Sequence, residues 1–259
     1  MSALLDVAGI SKRFGGLLAV DAARFTVEAR TITSLIGPNG AGKTTAFNIV
    51  SGFLKPDGGT IKFRGEAIEA LEPFEIARRG MARTFQDPRV FADMSVLDNV
   101  VVGLRQIGES PLRALLGGVA VAADRKRALE KAERILEGVG LIDRRGERAS
   151  ALSFGEQRFL SIARALVGDP EIVLLDEPTV GLDRGSFGKL LELMQRLVAE
   201  EQKTILLIEH NMDIVMSISA KVVLMVQGAV VASDTPGEIR EHRGMREAYL
   251  GKRHVAASH

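Results

Sequence analysis

The stretch Gly37-Pro38-Asn39-Gly40-Ala41-Gly42-Lys43-Thr44-Thr45 decides the reading of this 259-residue chain. It fills every fixed position of the phosphate-binding pattern G-x-x-x-x-G-K-[ST]. Its flanks agree. Thr31–Ile36 reads as a strand leading in, and Ala46, Phe47, Ile49, Val50, Phe53 and Leu54 recur at helical spacing leading out. Strand, glycine loop and helix together make an anion site. The glycines let the backbone wrap close with its N–H groups inward, and the helix N-terminus adds unsatisfied donors and a partial positive charge. Lys43 can bring a full charge to the β- and γ-phosphates, and the Thr44 hydroxyl can ligate Mg2+. The loop points to a nucleoside triphosphate and leaves open what its energy drives.

Composition narrows the surroundings. Apolar residues make up 46% and charged residues 26%, the balance of a globule with a sizeable core. The 34 basic and 33 acidic residues nearly cancel, which disfavours nucleic acid as a partner. With no cysteine there is no disulfide and no thiolate metal site. The most apolar stretch, Leu115–Ala123, is too short to span a membrane and contains two glycines. Asp6 and Gly9 interrupt any signal-peptide layout at the N-terminus. These features predict a cytosolic protein whose membrane role, if any, comes through a partner.

Further candidates follow along the chain. Leu4–Val27 reads as short strands turning at Gly15-Gly16. Phe14 is either a core residue of a β face or an exposed ring able to stack on a base; its own segment favours the core. Gln86 follows Arg83-Thr84-Phe85 at a strand end, within reach of a metal or water. From Asp93 to about Gly140 the texture is helical, with Leu129, Ala132, Ile135, Leu136 and Val139 in one apolar stripe and basic residues opposite. Ser153-Phe154-Gly155-Glu156 has the spacing of a capping box opening a helix through Leu166. A second anion site is the alternative there.

Ile172–Leu175 is a continuous apolar run, as in a strand buried on both faces, and it ends in Asp176-Glu177. Neighbours at a strand end point to opposite sides, so Asp176 can hold Mg2+ while Glu177 polarises an attacking water. Thr204–Ile208 is a second such strand, ending in Glu209-His210. His210 there lies where open α/β sheets place ligands and could hydrogen-bond a γ-phosphate. Lys221–Ser233 reads as a hairpin turning at Gln227-Gly228.

In this order, Gly37–Thr45, Gln86, Leu152–Glu156, Ile172–Glu177, Gly181-Leu182-Asp183 and His210 resemble the nucleotide-binding subunit of ABC transporters, from about Leu4 to Gly251. The resemblance implies an α/β P-loop ATPase with an N-terminal antiparallel β-subdomain and a helical subdomain. Residues 1–87 and 166–259 would form the nucleotide-binding core and residues 88–165 the helical part of one domain. It implies ATP and Mg2+ as cofactors, with Phe14 stacked on adenine, Val20 an apolar contact beside it, and Gly37, Pro38, Asn39, Gly40, Ala41, Gly42, Lys43, Thr44 and Thr45 around the phosphates. Thr44, Gln86 and Asp176 would meet the metal. Glu177, His210 and Lys43 would carry catalysis. Ser153 and Gly155 would cover the γ-phosphate of the opposite subunit, and Asp183 would link the two sites. The implied partners are a second ATPase subunit in a head-to-tail dimer, two membrane permeases and, indirectly, an extracytoplasmic binding protein. The place of work would be the cytoplasmic face of the membrane.

Two positions depart from the usual pattern Leu-Ser-Gly-Gly-Gln, with Phe154 and Glu156 in place of its first glycine and its glutamine. Gly181 stands where an alanine is usual. A closer resemblance, to ATPases of branched-chain (hydrophobic) amino-acid importers, rests on Arg83–Phe91, the helical insertion after Val102, Phe154, His210–Met216 and Glu247–Gly251. A lipopolysaccharide-export ATPase and a soluble, non-transport ABC ATPase are the alternatives. The segment Gln86–Val102, with Val90, Phe91, Met94, Val96 and Leu97, is expected to form the groove that receives a permease helix.

Overall fold

Two long strands open the chain, β1 (Ala3–Phe14) and β2 (Leu17–Glu28), joined at Gly15-Gly16. The sequence predicts shorter pieces because its alternation is broken near Gly9 and Ser11. The structure absorbs those breaks as register shifts, which let a strand continue through residues that interrupt its period. The computed structural model describes residues 3–104, 118–243 and 245, with only the backbone course given for 118–124. The expectations for the apolar side chains at 115–123, for Glu247–Gly251 and for the tail lie outside it.

β1 also pairs with β4 (Gly58–Phe63), which pairs with β5 (Glu66–Ala67), making a four-stranded antiparallel sheet in the order β2-β1-β4-β5. The second sheet has six strands. They are β3 (Ile32–Ile36), β6 (Met81–Arg83), β7 (Ile172–Asp176), β8 (Thr204–Ile208), β9 (Lys221–Val226) and β10 (Ala229–Asp234), in the order β10-β9-β3-β8-β7-β6. All its pairings are parallel except β9 with β10.

Every residue of β3, β7 and β8 is buried, as the continuous apolar runs predict. Their alternation divides two cores. Ile172, Leu174, Leu206 and Ile208 face the side of the antiparallel sheet, with Phe25, Phe47 and Phe63. Val173, Leu175, Ile205 and Leu207 face the opposite side, with Leu160, Leu190 and Met194. Side chains two apart on one strand therefore belong to one core, and neighbours belong to different ones.

Among the described residues the α-helices are α1 (Lys43–Val50), α2 (Pro73–Arg78), α3 (Val96–Val101), α4 (Gly118–Gly138), α5 (Phe154–Leu166), α6 (Arg184–Ala199), α7 (Met212–Ile218) and α8 (Pro236–Glu241). The predicted stripe on α4 and the turn after it buries Ala132, Leu136 and Val139 against α3 and α5, while Arg125, Lys126, Arg127 and Arg134 stay exposed. The loop after β3, Asp176-Glu177 after β7 and Glu209-His210 after β8 all leave the same, C-terminal edge of the parallel sheet. That edge is where open α/β sheets gather ligands.

Candidate active site

The loop between β3 and α1 holds three glycines at positive φ: Gly37 at 153°, Gly40 at 80° and Gly42 at 95°. Two of them are also places of close approach. A methyl group at Gly37 would lie 2.1 Å from the Met225 carbonyl oxygen, and one at Gly42 would lie 2.3 Å from that of Ala19. The loop is thus wedged between β9 and β2, and only glycine fits. Gly228, in the turn between β9 and β10, donates its N–H to Ala41 at 3.1 Å and accepts from Asp21 at 2.9 Å.

Lys43 folds back over the loop. Its Nζ donates to the Gly37 carbonyl at 2.7 Å and the Pro38 carbonyl at 3.1 Å. Burial lowers its pKa, while the nearby charges of Glu177 and Asp176 pull the other way. A cleft of about 570 Å³ opens above the loop. Asn39–Thr45 line it, with Phe14, Leu17 and Ala19 from β1 and β2 and with Glu177, His210 and Gln227 from just after β7, β8 and β9. Phe14 is 49% exposed at the end of β1 and lines this cleft, so it is not a core residue. Val20 is a correction. It is fully buried in the core and lines no part of the cleft, whose lining on β2 stops at Leu17–Ala19.

The two carboxylates after β7 take different surroundings. Asp176 Oδ2 accepts from Arg83 Nη2 at 3.0 Å, with both side chains almost wholly buried. Burial pushes Asp176 up and Arg83 down, and their contact opposes both shifts. Glu177 departs from the strand at φ 47°. Its Oε1 lies 2.6 Å from His210 Nε2, and its Oε2 accepts from Gln86 Nε2 at 2.9 Å. Three sequence candidates from β6, β7 and β8 therefore meet at one carboxylate, beside the loop.

Ser153, Gly155 and Asp183 do not line this cleft. They gather elsewhere. Ser153 caps α5, with Glu156 N–H donating to its hydroxyl at 3.3 Å and its own N–H donating to Glu156 Oε2 at 2.8 Å. Glu156 also accepts from Arg144 at 2.7 Å, a charge-assisted bond that a glutamine could not make as strongly. Gly155 is buried against Leu182 and Ser186, and Asp183 caps α6 by accepting from the N–H groups of Gly185 and Ser186, both at 2.9 Å. The Phe154 ring lies over Gly181, where a methyl group would sit 2.9 Å from a ring carbon, and the Arg158 guanidinium stacks on the same ring.

Sequence reasoning missed the buried groups around this site. Glu209 is 1% exposed; it takes the Thr179 hydroxyl and the N–H groups of His210 at 2.8 Å and Asn211 at 3.2 Å, fixing the turn that aims His210. Arg158 is also buried and donates to the Phe85 carbonyl at 2.9 Å, while Arg164 donates to those of Arg89 and Pro88. The loop bearing Gln86 is thus held to α5 by two arginines. Their spacing of six residues within a basic, amphipathic helix offered no signal beyond a solvated face.

A second, apolar hollow of about 370 Å³ lies between α1, α2, β6 and α5, with Phe53, Phe74, Phe85 and Arg164 in its lining. Phe85 and Gly103, which flank the segment Gln86–Val102, line this hollow, and the segment's own residues do not. Val96 is fully buried and Val90 and Leu97 pack on the helical core. Phe91 is 48% exposed, beneath the Arg164 guanidinium.

Residues 20–180 match the family model described as ABC transporter. The chain belongs to the ABC transporter family. It is 42% identical, over 96% of its length and 98% of the relative's, to the high-affinity branched-chain amino acid transport ATP-binding protein BraF of Pseudomonas aeruginosa. It is 44% identical, with the same coverage, to the corresponding LivG protein of Escherichia coli. Among solved structures, it superposes with TM-score 0.83 on the ADP conformation of an ATP-binding cassette of an ABC transporter. That cassette is 33% identical to it, and the match covers 97% of this chain and all of that one. A nucleotide-free cassette gives TM-score 0.82 at 33% identity, over 96% and 99% of the two chains. The chain is therefore an ATP-binding ATPase subunit. Among the described residues no helix is long and apolar enough to cross a membrane.

Proposed function

We propose that this subunit hydrolyses ATP to drive import of branched-chain and related hydrophobic amino acids. The substrate class rests on the two relatives named above, each alike over nearly its full length. The observation that carries the chemistry is the meeting of Gln86 and His210 at Glu177 beside the phosphate loop. In the proposed mechanism the loop N–H groups and Lys43 bind the β- and γ-phosphates, and Phe14 stacks on the adenine. Glu177 accepts a proton from the water whose oxygen attacks the γ-phosphorus, as the bond to the ADP oxygen breaks. His210 holds the Glu177 carboxylate in place and reaches the γ-phosphate.

Thr44, Asp176 and Gln86 fit Mg2+. They offer a hydroxyl, a carboxylate and an amide, all hard oxygen donors. Among the described residues no group of three or more His, Cys, Asp or Glu side chains could hold a metal by itself. That suits an ion bound jointly by a few protein oxygens and the substrate's phosphates. Bound there, Mg2+ would neutralise charge that develops on the transferring phosphoryl group.

Ser153, Gly155 and Asp183 lie outside the cleft, and we assign them to the ATP of a second subunit in a head-to-tail dimer. The permeases would dock across the apolar groove and the exposed Phe91 beside it, which Arg164 joins, with residues 88–165 acting as the helical subdomain and the subunit working at the cytoplasmic face. Loss of leucine uptake on deleting the gene, restored by the native chain and not by Lys43→Ala, tests the reading. Unchanged uptake of every branched-chain amino acid in the deletion strain would overturn the substrate class. For the dimer, Lys43→Ala mixed with Ser153→Arg should leave one composite site intact per mixed pair. A cross-link of Ser153 to its own chain's loop would contradict it.

A further inference from the structure

One buried side chain ties the apolar groove to elements that carry the nucleotide site. Arg83 Nη1 donates to Asn48 Oδ1 and Ser51 Oγ, both at 2.8 Å, on and just after α1; Nη2 donates to Asp176 Oδ2 at 3.0 Å on β7. The guanidinium therefore rivets three elements. α1 begins at Lys43-Thr44 and β7 ends at Asp176, so the riveted pieces carry the hydroxyl and the carboxylate assigned to Mg2+. Around the guanidinium stand the rings of Phe47, Phe53 and Phe85, with centroids 5.6, 5.7 and 5.1 Å away. Phe53 and Phe85 meet edge to face at 5.4 Å. Arg83, Phe53 and Phe85 are all lining residues of the groove.

A buried ion pair is a poor way to stabilise a core. Well-packed apolar side chains of similar volume do as well or better, because each ion loses several kcal/mol of hydration on burial. Three aromatic rings would pack readily around a Met or Leu here. What an apolar side chain could not do is fix α1 against β7 through a planar fork of set spacing. Mg2+ needs that fixity, since it demands near-octahedral geometry at short distances.

We propose that Arg83 is a positioning residue for the Mg2+ ligands Thr44 and Asp176, and that a permease segment seated in the groove acts on the nucleotide site through it. The proposal rests on the assignment of those two residues to the metal. A segment seated in the groove packs on Phe53 and Phe85, the walls of the cage that orients the guanidinium. Any shift of that cage reaches Asp176 through a single side chain.

The test is a Mg2+ titration of fluorescent ATP-analogue binding to the purified full chain, with an EDTA baseline and thermal melts as a check on folding. Outer partners of metal ligands typically affect metal affinity by about 10–100-fold. Arg83→Lys keeps the charge and loses the fork; Arg83→Gln loses both. Each should keep its metal-free nucleotide affinity and need about tenfold more Mg2+ for half-maximal tightening. Asn48→Ala leaves the ion pair intact and removes one of the two acceptors of Nη1, so its midpoint should rise by a smaller factor, about threefold. Phe53→Ala should move the midpoint the same way by a smaller factor, and Mn2+ binding followed by electron paramagnetic resonance should give the same order.

Midpoints equal to or below the native value in both Arg83 variants would overturn the proposal. Should those variants not fold, unchanged midpoints in Asn48→Ala and Phe53→Ala would do so. A shift in the Arg83 variants with none in Phe53→Ala would remove the link to the groove. A native chain whose nucleotide affinity ignores Mg2+ would sink the ligand assignment, and with it this proposal.

Discussion

Replacing Glu177 by glutamine removes a charge and almost nothing else. The native carboxylate makes two contacts, 2.6 Å to His210 Nε2 and 2.9 Å from Gln86 Nε2. An amide of the same shape can keep both, with its oxygen toward Gln86 and its NH2 toward an imidazole whose Nε2 accepts. The phosphate loop is built from β3 and α1 and touches neither bond, so ATP affinity should hold. What is lost is the base. General-base catalysis contributes about 10²–10⁴-fold, or about 2.7–5.4 kcal/mol at about 1.36 kcal/mol per tenfold. Single-turnover phosphate release, with nucleotide affinity measured alongside, reads the two effects separately. Hydrolysis at the native rate would refute the role given to Glu177. An equal fall in affinity and rate would mean that the side chain holds the site's shape and does not activate the water.

Other perturbations test other links. Gly42→Ala places a methyl group against the Ala19 carbonyl at a φ of 95°, so the loop must move; about 1–2 kcal/mol of left-handed strain alone predicts roughly a tenfold weaker grip on ATP. Undiminished binding in a nucleotide titration would contradict the cradle. Phe91→Asp sets an acid beneath Arg164 and touches no phosphate-binding group. Pull-down with the permeases should fail while the isolated subunit hydrolyses ATP normally; retained assembly and transport would dismiss Phe91 as a docking residue. The Ser186 N–H and hydroxyl, with the Gly185 N–H, hold Asp183 below the usual carboxylate range. The stability this adds is full above that range and is lost as pH falls through the lowered value. Asp183→Asn should therefore flatten the acid limb of the melting curve, and an unaltered slope would discount the cap.

Much of the site was legible because its parts are local. Gly37–Thr45 announces itself by type and spacing, β7 and β8 by unbroken apolar runs, and the start of α5 by Ser153 and Glu156 three residues apart. Val20 misled because it sits one residue past the cleft-lining run Leu17–Ala19, where a register shift hides the strand's phase. Arg83, Arg158 and Glu209 stayed invisible for a different reason. Each is a charged residue that looks solvated in sequence, and each is buried against a partner 30 to 93 positions away. The apolar hollow went unforeseen likewise, since Phe53, Phe74, Phe85 and Arg164 come from four separate parts of the chain.

The contact between Phe154 and Gly181 makes two oddities of sequence into one. A glycine restored at 154 alone would leave Gly181 uncovered and take the stacking surface from Arg158. An alanine installed at 181 alone would enter a left-handed residue and meet the ring. Each change needs the other. In exchanging parts between this ATPase and relatives with the commoner pattern, residues 153–156 and 180–183 are therefore a single transplantable unit, although 23 residues separate them in the chain.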